Sequence, residues 1–125
     1  MKAKEMDDER WLSPLRAGYL AGADDKLRKL TQATRDLESD PGSAAAYRRL
    51  DRLLHNLIGS GGSYGLPEVS DTARVMLRRL KSERSNHGVI SPALFVNLWT
   101  GIDDLKGVFA QASSNSTSSG LDVTP

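Results

Sequence analysis

The sequence predicts an all-α protein: an antiparallel up-down four-helix bundle, with room for a short extra helix at the N-terminus. Three observations predict it. Apolar residues recur at steps of three or four along four long segments, the period of an amphipathic helix. No stretch sustains the period-two alternation of a strand. The connections between the segments are short and rich in turn residues, which favours antiparallel neighbours.

The first helical segment is expected from about Asp8 to Glu38. Leu12, Leu15, Tyr19, Ala23, Leu27, Leu30, Thr34 and Leu37 form its stripe. Pro14, Gly18 and Gly22 weaken its start, so a short leading helix followed by a longer one fits the same residues. Asp40-Pro41-Gly42 is a turn signal. Ser43 then suits the N-cap of a second helix, Ala44 to about Ser63, and Gly65 a left-handed terminus. A third helix is expected from Pro67 to Glu83, with Leu66, Val69, Ala73, Met76, Leu77 and Leu80 on one stripe. Ser85-Asn86-His87-Gly88 reads as a loop, with His87 a turn residue. Ser91-Pro92 reads as an N-cap and first helical position, and the fourth helix carries Phe95, Leu98, Ile102, Leu105 and Phe109. Trp11 and Trp99 are expected to pack on the bundle. The bundle is expected over residues 8–111, and 112–125 as a disordered Ser-rich tail or linker.

With 125 residues the chain fits one domain and a modest core. Lys and Arg number 17 against 16 Asp and Glu, a net charge of +1. That balance gives no global reason to expect nucleic acid or an anionic membrane as partner. There is no cysteine, which excludes disulfides and thiolate chemistry and fits a reducing cytoplasm. The polar opening residues lack the apolar run of a signal peptide, and no segment approaches a membrane span. The two histidines lie far apart in the sequence, so no short-spaced metal-ligand pair is expected. A monomer and a cytoplasmic location are the default expectations.

The second helix carries the functional signal. At about 100° per residue, Ala46, Tyr47, Leu50, Leu53, Leu54, Leu57 and Ile58 fall within an arc of roughly 140°. His55 lies opposite that arc, beside Arg48, Asp51, Arg52, Gly59 and Gly62. Its ring is therefore expected to project into solvent. Arg52 and Arg48, three and seven residues before it, share its side of the helix and can attract a phosphoryl group. Gly59 stands one turn after His55, and glycine inside a helix costs roughly 1 kcal/mol relative to alanine. Accepting that cost suits a place where another molecule approaches the ring. Gly61 falls towards the apolar arc, where close helix packing is the expected use. An imidazole, with an ordinary pKa of about 6.5, is substantially neutral and nucleophilic near neutral pH. It can form a covalent phosphohistidine and hand the group onward.

His55-Asn56-Leu57-Ile58-Gly59-Ser60-Gly61-Gly62-Ser63-Tyr64-Gly65 resembles the phosphorylation helix of histidine phosphotransfer domains, His-x-Leu-Lys-Gly-Ser-small-x-x-apolar-Gly. Leu50, Leu53 and Leu54 before it, and Leu66-Pro67 after it, fit as well. The resemblance spans about residues 8–111. It implies a four-helix bundle acting as a phosphocarrier without autonomous catalysis. The phosphoryl group would be exchanged with a receiver-domain aspartate of a response regulator, a sensor histidine kinase, or both. It implies His55 as phosphoacceptor and Gly59 as the small residue that admits the receiver. With them, Arg48, Arg52, Asn56 and Gly62 form the expected partner and phosphate face. The chain needs no cofactor of its own in this scheme; Mg2+ is expected in the receiver. A docked receiver is expected to cover the second-helix face and part of the third, where Arg74 and Arg78 contribute.

One departure stands out. The lysine that the family places three residues after the histidine is Ile58 here. Arg52 or Arg48 is the expected substitute. The same departure keeps an alternative open, in which the bundle binds a receiver or kinase as an adaptor and is never phosphorylated. A solvated surface histidine among ordinary surface arginines is the plainest alternative for the isolated residues. A stand-alone hydrolase fits poorly, since Asp51 is the one acidic residue expected beside His55.

Overall fold

The computed structural model describes residues 14–87 and 90–122. A helical run over 14–21, α1, is followed by α2 (Ala23–Ser39), α3 (Ala44–Ser63), α4 (Pro67–His87) and α5 (Pro92–Asp122). The fold is all-α, as expected. Helices α2 to α5 pack as a ring: α2 on α3, α3 on α4, α4 on α5, and α5 back on α2. The first segment does divide, at a turn on Gly22, into a short leading helix and a longer one. Residues 8–13 of that segment, with Leu12 and Trp11, lie outside the described residues.

Local chemistry sets the ends of α3. The Ser43 hydroxyl accepts from the Ala46 amide at 3.1 Å, an N-cap that satisfies one of the unpaired donors of the first turn. At the other end Gly65 takes φ 73°, the left-handed conformation that only glycine adopts without steric cost. The Leu66 amide then returns to the Gly61 carbonyl at 2.8 Å, closing the terminus.

Leu30 and Leu37 of α2, Leu50 and Leu54 of α3, Leu80 of α4, and Leu98 and Leu105 of α5 form the centre of the core, each fully buried. Burying a side chain of this size stabilises by about 1.5–3 kcal/mol. The buried Thr34 hydroxyl donates to the Leu30 carbonyl at 2.8 Å, so its burial leaves no orphan polar group. Trp99 packs against the core and donates from Nε1 to Glu38 Oε1 at 3.3 Å, tying α5 to α2.

Helix α1 closes one end of the ring. Tyr19 is buried, stacks on Tyr64 with ring centroids 4.6 Å apart, and meets Phe109 at 6.0 Å. Its hydroxyl bonds to Ser60 Oγ at 2.8 Å, and Arg16 donates to the Tyr64 carbonyl at 3.0 Å.

Two expectations are corrected. Helix α4 runs on to His87, so residues 85–87 are helical and His87 is a helix residue. Helix α5 likewise runs as far as Asp122. Extending a formed helix adds one backbone bond per residue with no new nucleation, so composition alone is a poor guide to where it ends. Leu15, assigned to the buried stripe, is 44% exposed. Helical spacing sets a residue's face but not how far a partner extends to cover it.

Candidate functional site

The buried side of α3 consists of Leu50, Leu54, Leu57 and Gly61. Ala46, Tyr47, Leu53 and Ile58 pack half-buried along its edges. His55 therefore faces outward, and its side chain is 56% exposed. Arg48, Arg52, Asn56, Gly59 and Gly62 are exposed with it. A Cβ built on Gly59 or Gly62 would meet nothing within 4 Å. The helix surface beside the imidazole is thus open.

Gly61 behaves differently. A Cβ there would lie 2.8 Å from the Ser70 amide nitrogen and 3.1 Å from both the Leu66 carbonyl and Val69 Cβ. Its missing side chain lets α4 start directly against α3. Ser70 holds the same junction by donating to the Ile58 carbonyl at 2.8 Å.

Two charged side chains reach the same ring atom of His55. Asp51, one turn earlier on α3, places Oδ1 3.2 Å from Nε2. Lys81, from α4, places Nζ 3.4 Å from Nε2. Asp51 was expected on this face from helical spacing. Lys81 was not, because 26 residues separate it from His55. The antiparallel register brings it there: Gly61 meets Ser70, His55 meets Lys81 and Tyr47 meets Arg84, descending in α3 while rising in α4. A cation three or four residues from the histidine is what spacing on a single helix can reveal; a cation across a helix pair is not.

Beyond Lys81, a shallow depression lined by Tyr47, Arg48, Lys81 and Arg84 continues the face towards the start of α3. The Arg84 guanidinium lies over the Tyr47 ring, 4.1 Å from its centroid. Burial raises the Tyr47 phenol above its ordinary pKa, with the Asp51 charge adding to it and Arg84 opposing. The face is therefore cationic around one carboxylate. Of the other expected cations, Arg74 is engaged by Asp71 at 3.0 Å and by Ser70 at 3.3 Å, and Arg78 is exposed. Arg49, next to Arg48 in the chain, turns away to Asp36 of α2 at 3.6 Å. Ile58, where the histidine phosphotransfer pattern that the helix resembles has lysine, is half-buried against the core and brings no charge.

Chemically the site offers an exposed nucleophile with a donor and an acceptor at one nitrogen. Among the described residues the ring stands open to solvent. Among the described residues no group of three or more histidine or acidic side chains is placed to hold a metal ion, and no helix is long and apolar enough to cross a membrane.

Comparison with known proteins adds one relation. The chain is 26% identical over 88 residues to the chemotaxis protein CheA of Halobacterium salinarum. The match covers 70% of this chain and 13% of that protein, so the chain spans about an eighth of the length of the curated relative it matches. No family profile matches the chain, and no solved structure matches it. The similarity supports a two-component signalling relation.

Proposed function

We propose that the chain is a phosphorelay intermediate that carries a phosphoryl group on His55. The observation that carries the reading is the placement of this imidazole. It stands 56% exposed at the middle of α3, with open helix surface at Gly59 and Gly62 and a cation at its Nε2. The two-component relation supports the same reading from a separate direction.

The group arrives from a sensor kinase or from the aspartyl phosphate of a receiver domain, and leaves to a receiver. An exposed imidazole without a cleft is suited to carrying rather than to full catalysis. The partner supplies the Mg2+ and most of the transition-state stabilisation. Gly59 and Gly62 leave room for its active site, while Arg48, Arg52 and Asn56 border the contact. Such transient signalling contacts can be small. The reaction belongs to the cytoplasm, where the partners of this chemistry work.

The test is phosphotransfer from phosphorylated receiver domains to the full chain. Acid-labile, base-stable label on the wild type and none on His55→Ala is the expected result. Receiver binding without label would replace the relay with the adaptor reading, in which Ile58 marks a bundle that docks but does not carry.

A further inference from the structure

We propose that Lys81, reaching across from α4, is the residue that holds the phosphoryl group on His55 Nε2, and that Asp51 opposes it. The inference rests on the reading of His55 as phosphoacceptor and assigns the cation that Ile58 fails to provide.

Lys81 Nζ lies 3.4 Å and Asp51 Oδ1 3.2 Å from the same Nε2. An ammonium can only donate, so a ring bonded to Lys81 keeps a lone pair on Nε2 and carries its proton on Nδ1. A carboxylate can only accept, so a ring bonded to Asp51 carries its proton on Nε2. No single neutral tautomer satisfies both. Only the tautomer that Lys81 selects, with its proton on Nδ1, has an Nε2 lone pair to attack with once the Lys81 bond opens. The two neighbours therefore divide the resting imidazole between a reactive and an unreactive state.

They divide the product as well. The Nε2 lone pair attacks the phosphorus of an acyl phosphate. The N–P bond forms as the P–O bond to the acyl oxygen breaks, and the carboxylate leaves with that electron pair. The Nδ1 proton then passes to water. The phosphoryl group displaces the Lys81 ammonium from Nε2, and the flexible side chain draws back to donate to the new phosphoryl oxygens with a charge-assisted bond. Asp51 repels the same oxygens and favours their departure. Arg84, also at this end of α4, is engaged over Tyr47, whereas Lys81 already stands within reach of the ring nitrogen.

The test uses the full chain and potassium phosphoramidate as phosphodonor, followed by 31P NMR. Label on the wild type that is lost in His55→Ala is the first requirement. Label elsewhere would end the phosphoacceptor reading and this role with it. Given label on His55, Lys81→Met is expected to slow labelling about tenfold, the loss of one charge-assisted bond. Lys81→Arg should restore most of the rate. Asp51→Asn should speed labelling and lengthen the life of the phosphohistidine. Long-range 1H–15N correlation spectra at pH 8 read the imidazole tautomer with no transfer step. The Nδ1-protonated fraction should fall in Lys81→Met and rise in Asp51→Asn. Lys81 is exposed, so the substitution leaves the core intact, and circular dichroism checks this. An unchanged labelling rate, or an unchanged tautomer ratio, in Lys81→Met overturns the role of Lys81 and leaves His55 as the acceptor.

Discussion

The two faces of α3 differ as much as any two regions of the molecule. Leu54 is fully buried, while His55, the next residue, is 56% exposed. Gly61 is walled in by α4, while Gly59, two residues earlier, meets nothing. One face fastens the helix to the bundle, and the other leaves an imidazole and a patch of bare helix available to a partner. The lesson is that stability and the proposed chemistry are separable on this helix, because a rotation of about 100° per residue puts adjacent positions in different surroundings.

Substitutions on the two faces should break or sharpen that separation. The largest effect is expected from Leu54→Ala, which empties a buried site and should cost about 2–5 kcal/mol of unfolding free energy. Denaturant titration measures it. The rate of His55 labelling in the protein that remains folded should stay within twofold of wild type. A much slower rate would mean that the two faces are coupled.

Gly61→Ala should cost about 1–3 kcal/mol, since the added methyl meets backbone atoms of α4 that cannot yield without moving a helix. Gly59→Ala should do the opposite and stabilise by up to about 1 kcal/mol, because alanine is the better helix former and the space is empty. The difference in sign between two glycines on one helix is the sharpest check on their separate uses. If both destabilise, the open surface at Gly59 is misjudged. Gly59→Trp should leave labelling by the small phosphodonor unchanged and slow transfer from a receiver, which needs the room.

A smaller effect concerns pH. Burial raises the Tyr19 phenol above its ordinary value of 10.0, against the Ser60 hydrogen bond, which lowers it. The folded pKa is then higher than the unfolded one. The contribution of Tyr19 is fully present below pH 10 and lost as pH rises through the folded value. Denaturant titrations at pH 8 and pH 11 should show a loss at the higher pH that Tyr19→Phe reduces. An equal loss in both proteins would assign it to other groups.

The fold was largely readable along the chain because its signals are local. Ser43 caps α3, Gly65 ends it and Pro92 begins α5, and each acts within one turn of its own position. The face occupied by His55 was readable for the same reason, since its neighbours Asp51 and Gly59 are one turn away. Where a helix runs past its last signal, as α4 does to His87, composition misleads.

By itself the sequence determined the all-α class, the bounds of α3, and the outward projection of one histidine beside two exposed glycines. These follow from periodicity and from capping chemistry, which act over three or four residues. Only the tertiary structure decided which cation reaches His55 Nε2. It chose Lys81, from the neighbouring helix, while Ile58, one turn after His55, is half-buried at the core's edge. The reason is geometric. The meeting of α3 and α4 depends on their antiparallel register, which the close approach at Gly61 and the turn at Gly65 establish together, and no spacing along one helix encodes it.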